Sequence, residues 1–139
     1  MINNGLFTSN SEEYSTSQDF FDELNKEFSF NLDVCATKDN TKCLIYYDKQ
    51  RDGLKQSWDG YNIFMNPPYG SVIKDWIKKA SEARGGVVVC LLPARTDTRY
   101  FHEYIYQKPG VEIRFIKGRL KFGGLTNSAP FPSMLVIFR

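Results

Sequence analysis

The sequence lacks the features that mark membrane-spanning, secreted and metal-binding proteins. No apolar run in its 139 residues approaches the roughly 20 that a membrane-spanning helix needs. The amino terminus has no basic flank followed by an apolar stretch, so we expect no signal peptide and a cytoplasmic protein. The three cysteines are widely spaced, which argues against a disulfide framework and a paired zinc site. The only histidine, His102, falls off the apolar face of its predicted helix, and we predict no metal site.

An excess of positive charge is also missing. The net charge of +2 is too small to indicate a nucleic-acid-binding protein by itself. A late group of cations comprises Arg114, Lys117, Arg119 and Lys121, and a solvated face explains it more readily than a nucleic-acid contact. The length predicts one domain over residues 1–139, without a separate target-recognition domain.

The most informative stretch that is present is YNIFMNPPYG, residues 61–70. Its apolar residues favour a short strand, and the pair Pro67-Pro68 ends that strand at once. A strand therefore delivers Asn66 and Tyr69 to its carboxyl end, the edge where open α/β sheets bind ligands.

The four residues from Asn66 to Tyr69 combine two hydrogen-bond acceptors with a flat ring. The prolines stiffen the loop and leave carbonyls free to accept, Asn66 adds a side-chain carbonyl, and Tyr69 adds a π face. This set suits a planar group that carries an exocyclic amino group, such as adenine. It resembles the Asp/Asn-Pro-Pro-Tyr signature of S-adenosylmethionine-dependent amino-group methyltransferases. The alternative is a rigid turn that ends a strand, with an aromatic plug.

The remaining periodicity predicts an α/β fold. The expected order is helix, strand, strand, strand, helix, strand, helix, strand, strand. The predicted segments are a helix capped by Thr16, strands over 28–36, 43–47 and 61–65, a helix capped by Ser71, a central strand over 87–92, a helix after Thr96 or Thr98, and strands over 111–116 and 133–138. We expect a Rossmann-like sheet with a mostly parallel centre, an antiparallel edge strand and helices on its faces.

Two acidic residues are candidates for the same ligand site. Asp33 lies near the end of the first predicted strand, where nucleotide-like ligands need a carboxylate for ribose hydroxyls or an amino group. The alternative for Asp33 is a surface aspartate on the polar side of that strand. Asp52 precedes Gly53 and is either a turn former or a second acid of the site.

Seven blocks in order resemble the phage-type DNA N-6-adenine methyltransferases of the Dam family. The blocks are YSTSQDFFDELNKEF, LDVCAT, DGLKQSW, NPPYG, the tryptophan of DWIKKA, LLPARTDTRYFH, and GRLKFGG followed by APFPSMLVIF. The resemblance implies a compact class I methyltransferase fold that binds S-adenosylmethionine and methylates N6 of adenine in double-stranded DNA. For a phage-encoded enzyme it also implies action in the host cytoplasm.

The resemblance also implies roles for individual residues. Asn66, Pro67, Pro68 and Tyr69 would form the target-base site, with Tyr69 stacking on a flipped adenine. Contacts to the cofactor would come from Ser15, Thr16, Asp33, Ala36, Asp52 and Asn66. The chain departs from the wider methyltransferase pattern because no glycine follows the first strand. Two alternatives stay open, a methyltransferase for RNA or a protein glutamine, and an inactive DNA-binding module of the same fold.

Overall fold

The computed structural model of this protein describes residues 14–123 and 128–139. Five strands form one sheet: β1 (Leu32–Asp33), β2 (Asn62–Met65), β3 (Val87–Pro93), β4 (Val111–Phe115) and β5 (Ser133–Phe138). The described residues also form the α-helices α1 (Gln18–Phe28) and α2 (Ile73–Glu82), a short helical turn at Gly53–Lys55 and a wider one at Phe101–Ile105. The α/β class is therefore confirmed.

The order of the strands across the sheet is β1-β2-β3-β5-β4. Strands β1, β2 and β3 pair in parallel, whereas β5 pairs antiparallel with both β3 and β4. The carboxyl ends of β1, β2 and β3 therefore meet at one edge of the sheet. The sheet is mixed, with two parallel and two antiparallel pairings, and it is consistent with the Rossmann-like fold that the sequence predicted.

The predicted antiparallel pairing at the edge of the sheet is confirmed, because the edge strand β4 pairs antiparallel with β5. Strand β5 lies inside the sheet, between β3 and β4, and β4 forms the edge. All six residues of β5 are buried, whereas β4 is only partly buried and leaves Phe115 62% exposed. An uninterrupted apolar strand such as SMLVIF is typical of a position with both faces covered, and this composition is a better guide than order along the chain.

The core consists of one layer on each face of the sheet. Alternate residues of β2 and β3 supply both layers: Ile63 and Val88 pack with α2, while Phe64 and Val89 pack with α1. Helix α1 contributes its buried residues Phe21, Leu24 and Phe28 to the second of these layers. A strand buried on both faces fixes the positions of its ends, so the residues that follow β2 and β3 rest on a rigid base.

The start of α1 corrects a predicted cap. Ser17, not Thr16, is the N-cap residue, and its hydroxyl accepts a hydrogen bond of 3.3 Å from the backbone N–H of Phe20. Thr16 is buried instead and points toward the end of β2, where its side chain has another partner. The sequence contains several consecutive hydroxyl residues here, and only the tertiary contacts decide between them.

The first two predicted strands are shorter than expected. The helix continues through Phe28, and Ser29 at φ 50° turns the chain, so only Leu32–Asp33 remains extended in the ladder. Segment 43–47 contributes a single parallel bridge between Tyr46 and Asp33. It still lies beside β1, because the Tyr47 N–H donates to the Asp33 carbonyl at 2.9 Å.

The cap predicted for α2 is also wrong. The helix begins at Ile73, and Val72 precedes it without a side-chain cap, so Ser71 does not act as one. Thr98 does cap the turn at Phe101–Ile105, accepting from the Phe101 N–H at 3.4 Å. Among the residues that the structure describes, no helix has the length and apolar character needed to cross a membrane.

Candidate functional site

Three strand ends meet at the candidate site. Asp33 ends β1, Asn66 directly follows β2, and Arg95 lies two residues beyond β3. Because these strands are parallel, the three residues lie at the same edge of the sheet. The structure thus brings together the two positions that the sequence selected, Asp33 and Asn66.

The side-chain amide of Asn66 is held by three neighbours. Its Nδ2 donates to the Tyr14 carbonyl at 2.7 Å and to Thr16 Oγ1 at 3.1 Å. Its Oδ1 accepts from the Tyr69 hydroxyl at 3.1 Å. A backbone carbonyl can only accept, so the nitrogen of the amide must face Tyr14 and the oxygen must face the other way.

Tyr69 is packed into the protein rather than standing free on the surface. The residue is 7% exposed, and burial raises the pKa of its phenol far above the usual range. Tyr14 stacks on its ring with 5.8 Å between centroids and 21° between planes, and Phe131 meets it edge-on at 5.6 Å. The Tyr69 hydroxyl is therefore a hydrogen-bond donor in a neutral phenol, and one face of the ring already has an aromatic neighbour.

We call residues 66–69 the NPPY turn. A cavity of about 420 Å³ opens on its β1 side, and we call it the strand-end cavity. Its walls include all six residues that the sequence proposed for a cofactor: Ser15, Thr16, Asp33, Ala36, Asp52 and Asn66. Tyr47, Phe64 and Trp76 supply aromatic surface. A volume of this size with a mostly apolar wall and a few polar groups is typical of small-molecule sites.

Asp33 is the most perturbed carboxyl group of the strand-end cavity. It is 4% exposed, which excludes a surface position, and burial raises its pKa to about 7. Its two oxygens accept from the backbone N–H groups of Cys35 at 3.3 Å and Lys42 at 3.1 Å. These bonds favour the ionised form, but they offset only part of the cost of burial.

Cys35 borders the same cavity without offering a reactive thiol. Burial, reinforced by the Asp33 carboxylate, raises the pKa of the Cys35 thiol to about 12. The thiol is therefore protonated at neutral pH, and the thiolate form needed for nucleophilic chemistry is rare. Cys43 and Cys90 are buried, as expected for small hydrophobic residues.

Asp52 and Gly53 form a tight turn in the wall of the strand-end cavity. Asp52 adopts φ 58° and its Oδ1 accepts from the Leu54 N–H at 3.3 Å, so it is a turn former as well as a lining residue. A Cβ on Gly53 would lie 2.3 Å from the Val34 carbonyl oxygen. The Gly53 carbonyl accepts from Nε1 of the buried Trp58 at 2.8 Å.

A second opening lies on the other side of the NPPY turn, and we call it the aromatic cleft. It measures about 450 Å³. Its walls include Tyr14, Tyr69, Arg95, Tyr100 and Phe131. Asn66 and Pro68 line the strand-end cavity whereas Tyr69 lines the aromatic cleft, so the NPPY turn contributes a wall to each of two potential ligand sites.

Sequence reasoning missed several residues of the site. Tyr14 was not selected, although it opens the block that contains Ser15 and Thr16, and its carbonyl orients Asn66. Ser15 itself donates through Oγ to the Gly123 carbonyl at 3.2 Å, tying this segment to a distant loop. Such a long-range contact leaves no local pattern in the sequence. The sequence indicated a turn at Gly53 but no role for it in the site. Phe131 and Tyr100 were aromatic residues to which the sequence assigned no role.

Comparison with known proteins gives consistent matches. The family model described as DNA N-6-adenine-methyltransferase (Dam) matches residues 5–139. The chain is 30% identical over 117 residues to a DNA N-6-adenine-methyltransferase of Haemophilus phage HP1, covering 78% of this chain. It is 32% identical over 77 residues to a DNA N-6-adenine-methyltransferase of Escherichia phage T1, covering 53% of this chain. The aligned regions span 66% and 32% of those two relatives.

A solved structure is also similar at a lower level. A methyltransferase candidate from Thermoplasma acidophilum aligns with a TM-score of 0.46 and 14% identity, covering 88% of this chain and 64% of that one. The strand order and the site geometry above carry the description of the fold without it.

Proposed function

The chain belongs to the DNA N-6-adenine-methyltransferase (Dam) family, and we propose that it transfers a methyl group from S-adenosylmethionine to N6 of adenine in double-stranded DNA. The observation that carries this proposal is the position of Asn66, whose amide is oriented by protein contacts between the strand-end cavity and the aromatic cleft. A methyl-transfer reaction needs the methyl donor on one side of such a group and the methyl acceptor on the other.

The strand-end cavity fits the methyl donor in size and charge. Asp33, Asp48 and Asp52 supply three carboxyl groups against the two lysines Lys42 and Lys49. S-adenosylmethionine carries a sulfonium and an ammonium, and a buried carboxylate gains most from a cation because water does not screen it. Asp33 would hold a positive group or ribose hydroxyls, and the rings of Trp76 and Tyr47 would cover the adenosine.

The bound donor supplies a methyl group made electrophilic by its sulfonium, so this chain need not supply a nucleophile. Its task is to prepare the amine. The lone pair of adenine N6 is delocalised into the ring. Asn66 Oδ1 and the Pro67 carbonyl would each accept a hydrogen bond from one N–H of this amino group. These acceptors would favour a more tetrahedral nitrogen as positive charge develops there. Preorganised acceptors of this kind contribute about 3 kcal/mol to catalysis where water is excluded.

The aromatic cleft fits a planar base. The target nitrogen is out of reach in a stacked duplex, so adenine would leave the helix and enter the cleft between Tyr69, Tyr100 and Phe131. Tyr14 stacks on one face of Tyr69 at 5.8 Å between centroids, which is the kind of contact that the extracted base would make in this cleft. Stacking would offset part of the cost of extracting the base. Contact with Asn66 Oδ1 would compete with the Tyr69 hydroxyl that now donates to it.

The direct test is to express the protein in cells without endogenous adenine methylation and to measure 6-methyladenine in digested DNA by mass spectrometry. We expect 6-methyladenine with the wild-type chain and none with Asn66→Ala. The same digest of RNA and of protein distinguishes the other acceptors. Methylated RNA or methylglutamine without 6-methyladenine in DNA would overturn the DNA assignment and leave methyl transfer intact.

A second measurement separates an enzyme from an inactive module of the same fold. Calorimetric titration with S-adenosylmethionine should show binding to one site, because the strand-end cavity has the size and the carboxylates for it. Absence of heat at saturating cofactor would contradict the proposed function. Asp33→Asn supplies the matched control, since it keeps the shape of the side chain and removes its charge.

A further inference from the structure

The aromatic cleft continues into a longer surface depression. A neighbouring opening of about 640 Å³ shares four wall residues with the cleft: Gly70, Ile73, Thr98 and Tyr100. We call the two openings together the basic groove. It starts at Tyr69 and runs along the first half of α2, away from the strand-end cavity.

Both walls of the basic groove rest on buried residues. On one side, Ile73 and Ile77 anchor α2 in the core. On the other, Phe101 and Ile105 anchor the turn at Phe101–Ile105. The Thr98 hydroxyl donates to the Arg95 carbonyl at 2.8 Å, which fixes the backbone of the loop that leads from β3. The groove is thus preformed, and its exposed side chains project from a rigid frame.

Cations outnumber acids along this groove. Lys74, Lys78, Arg95 and Arg99 are exposed wall residues, whereas Asp75 and Glu103 are the acids among the groove residues. Lys78 lies 3.8 Å from Glu82. Within residues 14–123 and 128–139, no ion pair involves Lys74, Arg95 or Arg99. These three cations have charge available for a partner.

Arg114, one of the cations late in the chain, differs in this respect. The Arg114 guanidinium forms ion pairs with Glu27 at 2.7 Å and with Glu112 at 2.5 Å. It lies on the edge strand β4, and both acids lower its net positive field. Arg114 is therefore a structural residue.

We infer that the basic groove binds the phosphodiester backbone of the DNA strand that carries the target adenine, with Lys74 and Arg99 on phosphates and Arg95 beside the extracted base. This inference rests on the proposed function and adds the direction in which the strand leaves the site. Phosphate contacts of this kind set register and affinity without reading sequence. Arg95 is the cation on the wall of the aromatic cleft itself, so it is the one placed to influence which neighbouring bases are accepted.

The test is the salt dependence of DNA binding. A fluorescein-labelled, adenine-containing duplex is titrated by anisotropy at several salt concentrations with the wild type and with Lys74→Gln/Arg99→Gln. Each phosphate contact contributes about 0.9 to the slope of log affinity against log salt. We therefore expect the double variant to lower that slope by about 2 and to bind DNA at least tenfold more weakly at low salt. Its affinity for S-adenosylmethionine should not change.

The matched control is Lys26→Gln/Lys108→Gln, which removes the same charge elsewhere. Lys26 lies on α1, across the sheet from α2. Lys108 borders an opening beside Gly85 and Gly86, before the start of β3, which meets the groove only at Glu103 and Tyr104. We expect this control to change the slope by much less than the groove variant. An unchanged slope in the groove variant, or an equal loss in both variants, would overturn the groove while leaving adenine methylation by the wild type untouched. If the wild type binds DNA through the groove but forms no 6-methyladenine, the proposed function fails and the groove stands.

Discussion

The strand-end cavity and the basic groove lie on opposite sides of one turn and have opposite character. The cavity presents three carboxyl groups against two lysines and buries Asp33 almost completely. The groove presents four cations against two acids, all exposed. A cationic small molecule suits the first and a polyanion suits the second. Under the proposed function, this difference in the sign of charge would separate the methyl donor from the DNA.

The largest effect should come from Asn66, which lines the strand-end cavity and accepts a hydrogen bond from Tyr69 of the aromatic cleft. Asn66→Ala removes the proposed acceptor of the N6 hydrogens, so methyl transfer should fall by about 100-fold or more. Cofactor affinity should remain within a few-fold of the wild type, because the strand-end cavity keeps Asp33 and its aromatic wall. Single-turnover kinetics and calorimetry measure the two quantities. Equal losses in both would show that Asn66 belongs to the cavity alone.

Gly53→Ala should damage the cavity and spare the groove. A new Cβ would lie 2.3 Å from the Val34 carbonyl oxygen, so the backbone must move. Overpacking of this kind costs about 1–3 kcal/mol. We expect a lower free energy of unfolding in urea and weaker binding of S-adenosylmethionine, with DNA binding preserved in the folded fraction. Gly123→Ala is the control, because its Cβ would meet the Ser15 carbonyl oxygen at 3.5 Å, an ordinary contact.

Thr16→Val tests whether Thr16 acts on methyl transfer by holding the Asn66 amide in place. The valine keeps the volume and loses the oxygen that accepts from Asn66 Nδ2. One lost hydrogen bond of about 1 kcal/mol predicts a fall in kcat of about fivefold, with Thr16→Ser restoring it. If KM for S-adenosylmethionine rises while kcat is unchanged, Thr16 is a cofactor contact and not a positioning residue.

The smallest expected effect is a pH dependence confined to the cavity. Burial raises the pKa of Asp33 to about 7, so the carboxyl group ionises as the pH passes through that value. A cationic ligand binds the ionised form better, and its affinity should therefore rise several-fold between about pH 6 and about pH 8. Calorimetry at several pH values measures this, and Asp33→Asn should flatten the profile. DNA binding should not follow the same curve, since Asp33 lies outside the groove.

The candidate site was largely predictable because its residues follow strand ends. Asp33 and Asn66 come directly at or after short apolar strands, and parallel pairing brings such positions to one edge. The residue that caps α1 was not predictable, since Ser15, Thr16 and Ser17 all carry hydroxyl groups. In the structure the Thr16 hydroxyl accepts a hydrogen bond from Asn66 instead of capping the helix. The place of β5 between β3 and β4 was not predicted, because order along the chain does not reveal which neighbours a strand pairs with.

The sequence alone determined the NPPY turn, the apolar central strands and the acids placed at their ends, because these depend on local backbone preference and on which residues avoid water. The tertiary structure decided how the Asn66 amide is oriented, that Tyr14 covers Tyr69, and that the cations of α2 and the Arg95 loop line one groove. Those features depend on contacts between segments far apart in the chain, and no local pattern encodes such contacts.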